Sequence, residues 1–171
     1  MAQSELTWMY LQRLYDLSVT TAQRLLSATL FIGINVQVIT MNSRFMLMFA
    51  AISGFIFVAL GAFGSHVLSK TLGATELGWL KTGLEYQAFH TLAILALAVA
   101  MQQRTNLWFY WSSVFLALGT VLFSGSLYCL ALSHLKLWVY VTPIGGACFL
   151  VGWILMLIGA LRLKRKAERH E

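Results

Sequence analysis

Four stretches of this chain run long enough without a charged side chain to cross a lipid bilayer. They are about Phe45–Ser69, Tyr86–Met101 with its flanks, Leu107–Ser133 and Leu137–Leu161. A helix needs about 20 predominantly apolar residues to cross a hydrocarbon core about 30 Å thick. Within that core every backbone amide must be bonded inside the structure itself. A transmembrane barrel would show segments of roughly ten residues in strict alternation, and these runs do not alternate. Composition agrees: 59% of the 171 residues are hydrophobic and 11% are charged, against about 25% charged in a soluble domain. No soluble fold of this size has the interior to hide so much apolar surface. The expected fold class is all-α: a polytopic membrane protein with a four-transmembrane-helix antiparallel bundle. Its spans fall at about 45–69, 84–102, 107–133 and 137–161, joined by short links that make successive spans antiparallel neighbours.

The net charge of +6 does not point to nucleic acid, because five of the twelve basic residues sit in the tail 162–171: Arg162, Lys164, Arg165, Lys166 and Arg169. A basic tail directly after a span is a topology signal that also meets anionic headgroups. No folded basic surface accompanies it, so no nucleic-acid partner is expected. With both ends of the 41–171 domain in the cytoplasm, the inside collects Arg44, Arg104 and the tail, and the outside Lys70, Lys81 and Lys136. Cys129 and Cys148 fall within spans and form no disulfide framework. They read as small packing residues, the alternative being that they approach each other near the outer face.

Residues 1–40 differ from the rest. An apolar stretch from Leu25 to Ile39 contains Gly33, Asn35 and Gln37 and is short for a span. No small-residue cleavage pattern follows it, so it does not read as a secretory signal peptide. Three readings compete: an interfacial helix, a weak fifth span, or an upstream extension of a protein whose natural start is Met41. "MNSRFMLMFAAISG" is a plausible start in its own right, a short basic region followed by a span.

Small residues recur at heptad spacing. Gly54 and Gly61 do so in span one, Ser112, Gly119, Ser126 and Ser133 in span three, and Gly145, Gly152 and Gly159 in span four. Lipid supplies no hydrophobic force between helices, so close approach through small side chains provides the packing. A seven-residue repeat gives a left-handed seam. The expected helix-packing residues are therefore Gly54, Gly61, Gly119, Gly145, Gly152 and Gly159.

Polar residues within the spans gather toward one leaflet, the outer one in this orientation: His66, Glu85, Tyr86, His90, Ser124, Ser126, Tyr128 and Thr142. The candidate polar cluster is His66, Glu85, Tyr86, His90, Ser124 and Tyr128. Glu85 reads as a carboxylate in the first turn of span two, favoured there by the helix dipole. His90 lies deeper, where an unpaired polar group is costly. Its expected partner is Tyr128, a serine, or a neighbour of Glu85 across the bundle; ligand binding, proton relay and metal or haem ligation are the competing roles. His134 and His170 read as solvent-side. Pro143 reads as the opening of span four, where its missing N–H costs nothing, and Gly145 and Gly146 as sites of close backbone approach. The chain contains no HExxH, CxxC, phosphate loop or GxSxG, and no metal or cofactor is expected.

The segments "GAFGSHVL", "TGLEYQAFH", "FSGSLYCLAL" and "TPIGGACFLVGW", in this order and spacing, resemble the YgdD-like family of small uncharacterised bacterial inner-membrane proteins. That family is a domain of unknown function with relatives among small eukaryotic transmembrane proteins. The resemblance covers about 41–171 and implies four transmembrane helices in a plasma membrane. It carries no activity, and the first forty residues depart from its pattern. The leading expectation is a non-enzymatic accessory or structural membrane protein whose partners are membrane lipids and a second copy or another membrane protein. The runner-up is a transporter or small-molecule binder using Glu85, Tyr86, His90 and Tyr128 in an outward cavity. A membrane enzyme or haem protein would need a second ligand, for which His66 is the one candidate.

Overall fold

The computed structural model describes residues 2–103, 106–133 and 135–163. Arg104, His134, His170 and the tail basic residues Lys164, Arg165, Lys166 and Arg169 lie outside the described residues. The described elements are α1 (Ala2–His66), a 3₁₀ turn (Leu68–Lys70), α2 (Ala74–Gln103), α3 (Leu107–Gly119), a π turn (Thr120–Ser124), α4 (Gly125–Ser133) and α5 (Trp138–Leu161), with no strand among them. Four segments are long and apolar enough to cross a membrane: Ser43–Lys70, Ala74–Gln103, Leu107–Ser133 and Trp138–Leu161. They are spans one to four.

The chain divides into two compact units, Met1–Val38 and Ile39–Glu171, each described by itself. In the first, the α1 backbone is helical and Leu25, Leu26 and Leu30 are exposed. Thr21, Ser27 and Thr29 turn their hydroxyls back to carbonyls of the preceding turn, a habit that satisfies the hydroxyl locally.

In the second unit the spans run antiparallel, as paired contacts show. Gly159 meets Asn106 and Phe109, Gly152 meets Ser112 and Leu116, Phe149 meets Gly119, and Thr142 meets Ser126. Residue numbers climb on one helix as they fall on the other. Spans one and two pair the same way through Ser53 with Thr91 and Gly64 with Leu80. The core holds Met46, Ala50, Ile94, Leu97, Ala98, Met101, Leu116, Ala117 and Phe149. Outside it lies a coat of exposed apolar side chains, among them Phe55, Leu92, Leu150 and Leu157. In water that coat would be a liability; in lipid it is the solvent-facing surface.

The glycines divide between two roles. At Gly145 an added Cβ would come within 2.8 Å of the Phe123 Cα, and at Gly119, Gly152 and Gly159 it would strike Phe149, Leu116 and Phe109. These four let spans three and four close together. Gly54 and Gly61 have nothing within 4 Å of the corresponding position, so neither makes the expected close approach. Span one instead turns Ser43, Met46, Ala50, Ser53 and Gly64 inward, and its first four buried positions are themselves spaced three and four apart, as a heptad seam requires. Gly83, which the heptad pattern omitted, is a true close approach: its missing side chain is replaced by the Tyr128 ring, 2.6 Å from the added Cβ.

Two helix boundaries differ from the sequence expectation. Span two begins at Ala74, because Gly73 and Glu76 form a helix start in which the Glu76 carboxylate folds back to within 2.7 Å of where a Gly73 Cβ would be. Glu76, and not Glu85, is the first-turn acid. Pro143 lies inside α5, which starts at Trp138, so the helix forgoes the bond from position 143 to the Val139 carbonyl.

Candidate functional site

Span two carries two polar faces. Tyr86, Phe89 and His90 turn toward span four, and Gln87 and Thr91 toward spans one and three. On an ideal helix, residues three and four apart share a face, and the two sets are offset by one position.

On the first face, His90 is 5% exposed. Its Nδ1 lies 2.8 Å from the Tyr86 carbonyl oxygen, and the Trp153 indole Nε1–H points to its Nε2 at 3.3 Å. An indole nitrogen can only donate, so Nε2 accepts and Nδ1–H donates to the carbonyl. The geometry assigns the neutral Nδ1–H tautomer. The imidazole lies flat on the Phe149 ring, centroids 3.5 Å apart and planes 9° from parallel. Phe89 meets it edge-on and Tyr86 continues the stack onto Phe123 at 4.4 Å.

These rings wall a groove of 570 Å³ that opens on the outside of the bundle, lined by Glu85, Tyr86, Phe89, His90, Phe123, Gly146, Phe149, Leu150 and Trp153. Glu85 stands at one end of it, its carboxylate exposed and 3.9 Å from Lys81, one turn earlier. Beyond Glu85, span two has no charged residue up to Gln103, a length of about 27 Å at 1.5 Å per residue. That is close to a hydrocarbon core of about 30 Å. The groove therefore starts at the level where charge ends and descends into the apolar layer.

On the second face, the Tyr128 hydroxyl donates to Gln87 Oε1 at 2.5 Å. The Gln87 amide nitrogen donates to the Ser53 carbonyl at 2.8 Å and to Ser53 Oγ at 3.2 Å. Ser53 Oγ and Thr91 Oγ1 meet at 2.6 Å. One chain of hydrogen bonds thus ties spans three, two and one. Beside it lies a smaller cleft of 230 Å³ whose lining includes Ser53, Gln87, Thr120, Ser124 and Tyr128. Ser124 Oγ is buried there with no hydrogen-bond partner among the described residues. It sits at the end of the π turn.

The structure does not gather the six candidate residues into one cluster. Glu85, Tyr86 and His90 border the span two–four groove, whereas Ser124 and Tyr128 border the cleft on the other side of span two. His66 is exposed at the end of α1 and takes part in neither. The expected bond from His90 to Tyr128 or a serine is replaced by the Tyr86 backbone and Trp153. Ser126 and Thr142 meet each other at 2.8 Å across the span three–four seam. Cys129 and Cys148 are unbridged and part-buried.

Sequence reasoning missed Gln87 and Ser53, which join three helices. The signal was present: a buried amide inside a span must find partners, and Gln87 begins the stripe Gln87, Thr91, Ile94, Ala98, Met101, all buried. It also missed Trp153, whose indole is the partner of His90.

Fold and site together define a four-span helical membrane protein with an aromatic groove on its lipid-facing side and a neutral hydrogen-bond chain in its interior. Residues 60–146 match the family described as "Protein of unknown function (DUF423)". The inner membrane protein YgdD of Escherichia coli strain K12, of the UPF0382 group, is 80% identical over 131 residues, 77% of this chain and 100% of its own length. A UPF0382 membrane protein of Haemophilus influenzae is 49% identical over 114 residues, 67% of this chain and 91% of its own. One from Staphylococcus saprophyticus is 37% identical over 113 residues, 66% of this chain and 93% of its own. The chain belongs to this family of uncharacterised membrane proteins, and it is an inner-membrane protein with four candidate spans. No solved structure matches it.

Proposed function

We propose that this protein is a non-enzymatic accessory protein of the inner membrane that works by holding an amphiphile from the surrounding lipid in the groove between spans two and four. The observation that carries this reading is the state of His90. Among the described residues it is the one histidine, acidic or basic side chain that is buried, and both its nitrogens are engaged, by a backbone carbonyl and by an indole. It offers no lone pair, and its ring is packed flat on Phe149 as part of the groove wall, which favours an apolar binding wall over a metal, haem or proton-relay site. Intramembrane ionisable residues call for a functional account by default; here the account is the shape of the groove.

The second reading, a transporter using Glu85, Tyr86, His90 and Tyr128, loses support because Tyr128 faces the opposite side of span two. The working unit in this proposal is the 41–171 domain, oriented with both its ends in the cytoplasm, as the basic residues favour.

Gly146 supplies the test. It lines the groove, and a Cβ there would meet only the Phe123 ring, at 3.9 Å. Gly146→Leu should fill the groove without disturbing helix packing. Native mass spectrometry from mild detergent should show an amphiphile-sized adduct on the wild-type protein that the variant lacks, at matched thermal stability. No adduct on either protein, or the same adduct on both, would sink the proposal.

A further inference from the structure

We infer that the amphiphile is a membrane lipid, one of whose hydrocarbon chains lies along a furrow of which the groove is only the inner half. The inference rests on the groove reading above and names its ligand class.

The furrow follows from how the helices run. Trp79 shares a cleft with Tyr140, Tyr86 packs against Phe149, and Phe89 against Trp153. Residue numbers climb together, so spans two and four are parallel, with span three behind the seam between them and running the other way. Three clefts follow one another along this seam. The outermost, of 420 Å³, is lined by Trp79, Leu130, Lys136, Val139 and Tyr140. The next, of 500 Å³, keeps Trp79, Leu130 and Val139 and reaches Pro143 and Phe123. The groove of 570 Å³ shares that Phe123 and continues to Trp153. Each cleft shares lining with the next, so the three form one furrow. Its wall on span four is Val139, Pro143, Gly146, Leu150 and Trp153, steps of four and three that keep to one face of a helix.

Length is the first argument for a chain. At 1.5 Å per residue, Gly146 to Trp153 covers about 10 Å, and Val139 to Trp153 about 21 Å. One leaflet contributes roughly 15 Å to a hydrocarbon core about 30 Å thick. The groove alone would therefore hold part of a chain, whereas the furrow holds all of it.

Polarity along the furrow is the second argument. Its outer end carries Trp79 and Tyr140, rings of the kind that sit at headgroup level. Farther in, the Thr142 hydroxyl is bonded to Ser126 and to the Trp138 carbonyl, and both His90 nitrogens are engaged. Neither asks for a polar group from a ligand. The order is a polar head outside and a chain within, held by packing against a preformed wall. No headgroup is selected, because Lys136 and the Lys81–Glu85 pair are exposed and exposed charges contribute little.

The experiment uses the full chain in vesicles of phosphatidylethanolamine and phosphatidylglycerol, with a trace of a phospholipid carrying a diazirine in one acyl chain. In one probe the diazirine lies next to the ester, in the other at the chain end. Peptide mass spectrometry locates the label after photolysis. Span one supplies controls at matching depth: Gly64 meets Leu80 and Ser53 meets Thr91, which puts exposed Phe63 near the outer cleft's level and exposed Phe55 near the groove's. The ester-side probe should label Trp79, Val139 and Tyr140 above Phe63, and the chain-end probe Leu150 and Trp153 above Phe55. Val139 is 49% exposed, so Val139→Trp fills the outer clefts from the lipid side. It should lower chain-end labelling of Leu150 and Trp153, as Gly146→Leu should. Inner labelling above Phe55 without outer labelling above Phe63 overturns the furrow and leaves the groove reading standing. Chain-end labelling lost in Gly146→Leu but unchanged in Val139→Trp does the same. Leu150 and Trp153 labelled no more than Phe55 by either probe overturns the groove reading itself. The wild-type pattern decides both points without the variants.

Discussion

Buried hydroxyls and amides in this bundle do opposite things depending on whether a partner is in reach. Gln87 satisfies the Tyr128 hydroxyl and the Ser53 backbone at once, so removing it strands groups on two other spans. Gln87→Ala should cost about 1–3 kcal/mol, the penalty for buried unsatisfied groups. Ser124 Oγ has no partner among the described residues, so Ser124→Ala should be neutral or stabilising. Unfolding in graded SDS reads both, and a Ser124→Ala loss as large as that of Gln87→Ala would contradict the assignment. The glycines give a second pair. Gly145→Ala places a methyl group against the Phe123 backbone, an overpacking expected to cost about 1–3 kcal/mol, while Gly54→Ala meets open space. The same titration should separate them clearly. Spacing in the sequence showed where small residues recur, but it carried no information on which helix face meets a neighbour. That is why Gly54 and Gly61 shared a pattern with Gly145 and not its role, and why Gly83 went unnoticed.

At the scale of elements, the spans were legible because lipid allows so few solutions: long uncharged runs and helices are nearly the same statement. Ends were less legible. Hydropathy marks where charge stops, not where helical winding begins, and span two winds for about three turns before its last charged residue, Glu85. The helix-start signal was local and polar, Gly73 followed three positions later by Glu76. The π turn at Thr120–Ser124 left no trace in composition at all. Within it Phe123 packs against Gly145 and Tyr86, residues of two other spans. Span three has the clearest start. The Asn106 side chain accepts from the Trp108 and Phe109 amides, and its own amide reaches the Gly159 carbonyl at 3.3 Å. Asn106→Ala should cost about 1 kcal/mol, as N-caps do, and amide exchange should quicken first in residues 107–109. Unchanged exchange there would show that the cap contributes nothing.

For the whole molecule, the proposed orientation puts both ends of the 41–171 domain in the cytoplasm, the arrangement that an even number of spans and the positive-inside bias favour. Reporter fusions after Leu163 should be active when the reporter works in the cytoplasm and silent when it needs export. The reverse result would invert the groove, moving its charged end to the other leaflet while leaving its geometry unchanged. The candidate site was only half legible from sequence because leaflet depth can be read along one chain, whereas the face of a helix is decided by its neighbours. Glu85, Tyr86 and His90 were found by depth. Trp153, Phe149 and Phe123, which make the groove a groove, come from other spans and look like ordinary membrane aromatics until the bundle is assembled.

In a bilayer, on this proposal, the groove is occupied. The most direct measurement is an experimental structure in lipid nanodiscs. Elongated density should run from beside Glu85 down between Phe123, Phe149 and Trp153 and be absent in Gly146→Leu. Spans two and four packed together with the groove closed would contradict it.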